Sequence, residues 1–270
     1  MTKDKRRGIQ SIEIGFRVLK ALEAAARPLT LSEIAQATRL SPSRTQFYLV
    51  SLLRVGVVVQ AEPGGPYGLG PTAIRLGLTA LAQLDVLEMA RATMIELRER
   101  TGHTVFISVW GTHGPTVVNR LDGAKSTPLG VRVGAIMPLL GSATGKTFLA
   151  YLPRAVTADL VRREIISRRR GGATKTSATH VERVIADVRS WGAARTRGSV
   201  AQGIVAMAAP VVDYQGTLTC VMTLMGYERV VDIDYRSDDA RALGEAARAV
   251  SRSCGFVGEI WSVAKTRALA

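Results

Sequence analysis

At 270 residues the chain has room for two domains, and a hydrophobic content of 47% supplies a core for each. No apolar run approaches the roughly 18 residues of a membrane span, and the opening MTKDKRRGIQ is polar and basic, which sets aside a membrane or secreted protein and leaves a cytoplasmic one expected. A formal net charge of +14 favours a polyanionic partner, most simply nucleic acid, although the excess is spread over both halves.

The first predicted element is a helix over 9–25 that follows a basic arm at 3–7; Ile12, Phe16, Leu19, Ala21 and Leu22 lie along one broad apolar stripe. Pro28 separates it from a short helix over 32–38, for which Ser32 is the expected N-cap. Arg39, Leu40 and Ser41 form a turn. Ser41 then caps a second helix with Pro42 at its first position, where a missing N–H costs nothing, running to about Val55 and stopping at Gly56. Its expected inner face is Thr45, Tyr48, Leu49, Leu52 and Val55, and its outer face is Ser43, Arg44, Gln46, Phe47, Ser51 and Arg54. Two short strands, 57–59 and 67–69, flank a hairpin at Pro63-Gly64-Gly65-Pro66. Helix, turn, helix and ribbon make a winged helix-turn-helix, a shape that places its second helix in the major groove. The residues expected to meet DNA are Ser41, Ser43, Arg44, Thr45, Gln46, Phe47 and Arg54. The plainer alternative is a helical hairpin that only packs on its neighbours.

Pro71 opens a helix over 72–84 that is apolar almost all round, so it cannot stand alone in water and reads as a linker packed against another copy of the chain. A further helix over 85–101 turns Leu87, Ala90, Met94 and Leu97 inward and ends at Gly102. From there the pattern changes. Strands are expected at 103–110, 116–121, 129–134, 193–197, 203–213 and 216–225, and helices at 142–152, 157–167, 179–191 and 234–254. Two strand blocks separated by helices indicate an α+β domain, one antiparallel sheet flanked by helices. The run 168–172 reads as a solvated basic loop.

Taken together, these pieces resemble the IclR family of bacterial transcriptional regulators. The resemblance rests on I-Q-S-I-E-I-G-F-R-V-L-K-A-L, L-T-L-S-E-I-A, L-S-P-S-R-T and Y-G-L-G-P in the first half. In the second half it rests on L-R-E-R-T-G-H-T-V-F-I-S-V-W, V-R-V-G-A-I-M-P-L-L-G-S-A-T-G-K-T-F-L-A and G-I-V-A-M-A-A-P-V-V-D. It implies a DNA-binding domain at 8–70, a linker helix at 71–86 and a GAF-like effector-binding domain at 87–262. It further implies a double-stranded DNA operator, a small-molecule effector, and dimers joined through the DNA-binding half, often paired into tetramers. Mapped position by position, the family's effector pocket falls on Met137, Ala143, Thr144, Thr196, Ile204, Ala206, Thr223 and Met225. Such a lining suits a small aromatic or otherwise apolar carboxylate, with the start of the helix at Ser142 offering N–H groups to the carboxylate.

The chain departs from the family pattern in two places. Arg44-Thr45-Gln46-Phe47 stands where Thr-Val-x-Arg is usual, and Gly198-Ser199 stands where Gly-Glu is usual. Two rival readings follow from other residues. Gly141-Ser-Ala-Thr-Gly-Lys-Thr147 imitates a P-loop, but it is one residue short, with Leu140 where the motif needs Gly. An enzyme would need a nucleophile with a base; His103 and His113 have no Ser or Cys partner at a known spacing, and Cys220 reads as core. No metal site or cofactor is expected, since Cys220, Cys254 and the three histidines follow no ligand spacing. An effector-free nucleic-acid binder would have a filled second domain.

Overall fold

A computed structural model describes residues 8–83, 85–124, 131–170, 177–198 and 201–260. The chain divides into two compact units, Met1–Leu84 and Asp85–Ala270.

The first unit begins with α1 (Gln10–Ala25), α2 (Leu31–Thr38) and α3 (Pro42–Arg54), followed by β1 (Val58–Gln60), β2 (Tyr67–Leu69) and α4 (Pro71–Ala82). Helix α2 is capped by Thr30 rather than Ser32. The Thr30 hydroxyl accepts the Glu33 N–H while the Glu33 carboxylate accepts the Thr30 N–H, a reciprocal capping box. Arg39 closes α2 in the left-handed region at φ 56°, and this residue makes the turn between the two helices. Strands β1 and β2 pair antiparallel as a small wing. Its base is tight: a Cβ on Gly70 would lie 2.5 Å from the Gly56 carbonyl oxygen.

The core of this unit is Val18, Leu22, Leu29, Ile34, Leu49, Val58 and Tyr67. Two expectations fail here, the apolar stripe of α1 and the inward placement of Val55. Helix α1 buries Ile14, Val18 and Leu22, whereas Ile12 and Phe16 of the expected stripe are 56% and 59% exposed; Val55 at the end of α3 is exposed too. Helix α4 has no buried residue at all. Helix α1 carries two apolar faces, and only one meets its own chain.

The second unit begins with α5 (Val86–Thr101), capped by Asp85 at one end and closed by Gly102 at φ 71° at the other. Leu87 is exposed there, while Ala90, Met94 and Leu97 are buried as expected. Then come β3 (Thr104–Gly111), β4 (Gly114–Leu121), α6 (Ala143–Tyr151), α7 (Arg154–Arg170), α8 (Ala178–Trp191), β5 (Ala194–Arg197), β6 (Ile204–Val212), β7 (Leu218–Tyr227) and α9 (Asp238–Ser253). The five strands form one antiparallel sheet in the order β4-β3-β7-β6-β5. Residues of alternating parity along each strand face opposite sides. Val105, Ile107, Met207 and Met222 pack with α5 and α9, and Ala194, Ala208 and Val221 pack with α6 and α8.

Two loop expectations are corrected. Residues 131–134 are not a strand (129 and 130 lie outside the described residues). A turn at Gly134, φ 86°, interrupts any ladder, so this segment meets β4 only through a few bonds such as Val117 N–H to Ala135 C=O. Nor is 168–172 a solvated loop as far as it is described: α7 runs on to Arg170, and Arg168 Nε donates to Glu164 at 2.9 Å.

Candidate functional site

Helix α3 presents its sequence-predicted DNA-facing residues unequally. Ser43, Arg44, Phe47 and Arg54 are exposed on one side of the helix. Ser41 caps the helix, its Oγ accepting the Arg44 N–H at 3.3 Å. Thr45 is 0% exposed and its hydroxyl donates to the Ser41 carbonyl, so it has no surface to offer DNA. Gln46 is half-buried, with its side-chain carbonyl accepting a bond from the Tyr67 hydroxyl at 3.2 Å. Phe47 does not fold inward: it stands 74% exposed.

All eight residues assigned to the effector pocket line one cavity in the second unit. Helix α6 contributes Ala143 and Thr144 at its first turn; β5 contributes Thr196; β6 contributes Ile204 and Ala206; β7 contributes Thr223 and Met225; Met137 comes from the loop before α6. Sheet register explains the convergence, because Thr196 pairs with Ala206 and Ala206 pairs with Met225, three side chains in one row across the sheet. The Thr144 and Thr223 hydroxyls lie 2.8 Å apart, both buried, each satisfying the other. Among the described residues no charged side chain lines the cavity.

The start of α6 is held with care. Ser142 Oγ accepts the Gly145 N–H at 2.8 Å and donates to the Pro138 carbonyl at 2.7 Å. Gly145 permits this approach, since a Cβ there would fall 2.0 Å from the Pro138 oxygen. The Glu164 carboxylate accepts the Leu139 and Leu140 N–H groups at 2.7 and 3.1 Å, which pins the loop carrying Met137. The first-turn N–H groups of Ala143 and Thr144 have no partner within the helix by construction, and the two residues that carry them line the cavity. The cavity volume is about 20 Å³, room for about one water in this conformation.

Comparison with known proteins settles the family. Residues 78–252 match the family model "Bacterial transcriptional regulator IclR C-terminal", and residues 11–62 match "IclR helix-turn-helix domain". The chain belongs to the IclR family. The glycerol operon regulatory protein of Streptomyces coelicolor is 30% identical over 258 residues, covering 92% of this chain and 98% of that one. The crystal structure of Pseudomonas aeruginosa HmgR superposes with a TM-score of 0.85 at 32% identity, over 93% of this chain and all of that one. An IclR homolog from Microbacterium hydrocarbonoxydans, solved complexed with 4-hydroxybenzoate, shares the fold with a TM-score of 0.53 at 17% identity, over 91% of this chain and 99% of that one.

As an IclR-family transcriptional regulator, the chain belongs to a class of DNA-binding proteins rather than of enzymes. Cys220, His103 and Lys146 have the following surroundings. Burial pushes the Cys220 thiol up to about 12, which leaves it protonated and inert at neutral pH. His103 is buried with Nε2 3.2 Å from Asp239. The P-loop imitation is a turn leading into α6, and Lys146 there donates to the Arg195 carbonyl at 3.3 Å, its own pKa lowered by burial. Among the described residues no group of three His, Cys, Asp or Glu is placed to hold a metal, and no helix is long and apolar enough to cross a membrane.

Sequence reasoning missed Phe106, Ser142 and Val205 on the cavity wall. Phe106 is recognisable only through register, as the β3 residue opposite Thr223. Ser142 was readable as the cap of α6, but not as a wall residue.

Proposed function

We propose that the protein is a ligand-responsive, operator-binding regulator that acts as a dimer in the cytoplasm and controls a catabolic operon. Its effector is a small carboxylate with an aromatic or otherwise apolar body. The observation that carries this reading is the cavity: mostly apolar walls, the hydroxyls of Ser142, Thr144, Thr196 and Thr223, no charged side chain among the described residues, and the first turn of α6 on one side. The apolar body is matched by Met137, Ile204, Ala206 and Met225, and the carboxylate by N–H groups at a helix start. The 4-hydroxybenzoate held by the Microbacterium homolog is a molecule of this class.

The cavity's size gives the effector its leverage. A benzoate-sized ligand does not fit a space that holds about one water, so it binds a widened state and not the narrow one. A ligand shifts an equilibrium only by such differential affinity. Helix α5 opens the same unit and follows α4 in the chain, so the α4–α5 segment is the covalent route from cavity to DNA-binding head.

In the first unit, an open groove of about 900 Å³ runs between α1, α3, the wing and α4, lined by Ile12, Phe16, Leu52, Val55, Leu69 and Leu76. A second copy of the chain is its occupant in this reading, since α4 buries nothing on its own. The resulting pair carries two α3 helices into successive major grooves of a roughly palindromic site. Titration calorimetry with a panel of aromatic and branched acids, 4-hydroxybenzoate included, tests the effector class; uniform absence of binding removes it.

A further inference from the structure

The exposed side chains on the outward side of α3 include Ser43, Arg44, Phe47, Ser51 and Arg54. Ser51 spends its hydroxyl on the Phe47 carbonyl at 3.2 Å, and Gln46 beside them is engaged by Tyr67. Among the described residues that leaves Ser43 and Arg44 near the helix start and Arg54 at its far end as hydrogen-bonding readers, and between them Phe47, which has no hydrogen-bonding group to offer. Single exposed apolar residues are ordinary on protein surfaces, and the groove between α1 and α4 explains several in this unit. It does not explain Phe47, which lies outside that groove. A dimer that covers Ile12, Phe16 and Leu76 leaves Phe47 uncovered on the side that Arg44 shares.

A phenyl ring cannot read a donor or an acceptor. The one apolar group that the major groove displays is the thymine 5-methyl. We propose that Phe47 is a specificity-determining residue that packs on the 5-methyl group of a thymine in each half-site. This rests on α3 entering the major groove, as proposed above. Arg44, three residues earlier on the same face, supplies the polar contact to a neighbouring guanine edge or phosphate. Specificity at the Phe47 position is for thymine over cytosine, and it comes from methyl burial rather than from hydrogen bonding.

The test uses the full-length protein and DNA duplexes enriched from a random pool. Within the enriched site each thymine is replaced in turn by deoxyuridine, which deletes the methyl group and leaves base pairing intact. Burial of one methyl corresponds to about a four-fold change in affinity, so the expected loss is about four-fold for one half-site and about fifteen-fold when both are replaced. In Phe47→Ala that loss disappears at the same position. In Arg44→Ala affinity falls for both duplexes while their ratio stays that of the parent. Phe47 is exposed, so its truncation leaves the fold of α3 in place. An unchanged thymine-to-deoxyuridine ratio in Phe47→Ala, or an enriched half-site without a sensitive thymine, overturns the assignment of Phe47 while the DNA-binding reading stands. Failure to enrich any duplex overturns both.

Discussion

The two units of this chain treat apolar surface in opposite ways. The effector-binding unit buries it on both faces of a five-stranded sheet and closes a cavity beside that sheet almost to the size of a water. The DNA-binding unit rests on a small core and leaves Ile12, Phe16, Ile74, Leu76 and Leu78 exposed. In the proposed reading, the cavity inside the first takes a small molecule, and the apolar surface outside the second takes another copy of the chain. Only the outer surface leaves burial incomplete, and burial of its apolar area would drive the proposed pairing.

Breaking the outer surface has the largest expected effect. Leu76→Glu puts a charge in the α4 face and separates the pair. Sedimentation is expected to show monomers with unchanged helix content, and operator affinity falls by about a hundred-fold or more once two-headed binding is lost. A variant that stays dimeric with parental affinity moves the partner surface elsewhere. Next comes Arg44→Ala, expected to weaken operator binding by about 1–3 kcal/mol with ligand affinity unchanged in calorimetry. Equal loss of both would mean that α3 is not the reading helix.

The inner surface is probed through its hydroxyl pair. Thr223→Val leaves the Thr144 hydroxyl buried without its partner and is expected to cost about 1–2 kcal/mol in denaturant unfolding. Adding Thr144→Val removes the orphan and recovers part of that loss. Additive losses would show that the 2.8 Å pair is not a bond that matters.

The smallest effects fall at the start of α2. Thr30→Ala removes the N-cap and lowers stability by about 1 kcal/mol, read from the unfolding midpoint. Glu33 is held at about 2, well below the ordinary carboxylate value of 4.5, by the Arg27 guanidinium and then by the Thr30 N–H and hydroxyl. A depressed carboxylate stabilises above its unfolded pKa and loses that contribution as pH falls through the folded one. Glu33→Gln is therefore expected to be less stable than the parent at neutral pH and to converge with it between pH 4.5 and 2. A gap that persists at the acid end would assign the effect to packing.

The sequence made the architecture readable because each element announces its ends. Ser41-Pro42, Gly102 and Ser142 are caps or stops that the structure uses, whereas the last helix starts at Asp238 behind a Ser237 cap, four residues later than the expected 234. The Thr30 cap was also readable, from Thr-x-x-Glu, but Ser32 lies closer to the periodic run and competes with it. The helical stripes of α1 and α3 were less readable for a physical reason. Periodicity reports that Ile12, Phe16 and Val55 are apolar, and it cannot say whether they are buried within a chain or between chains. The cavity lining was legible through the family resemblance, residue by residue. Phe106 was not, because only strand register brings it opposite Thr223.

The measurement that reaches the central claim most directly is operator affinity of the full-length protein with and without a bound acid from the panel, in the parent and in Ala206→Phe. The larger side chain fills the cavity wall without touching the DNA-binding unit. The expected result is a ligand-dependent shift in the parent of about 5–150-fold, with none in Ala206→Phe, whose ligand-free affinity stays within reach of one of the parent's two states. A parent that binds the acid in calorimetry yet holds its operator equally well with and without it would contradict the claim that the cavity governs the head.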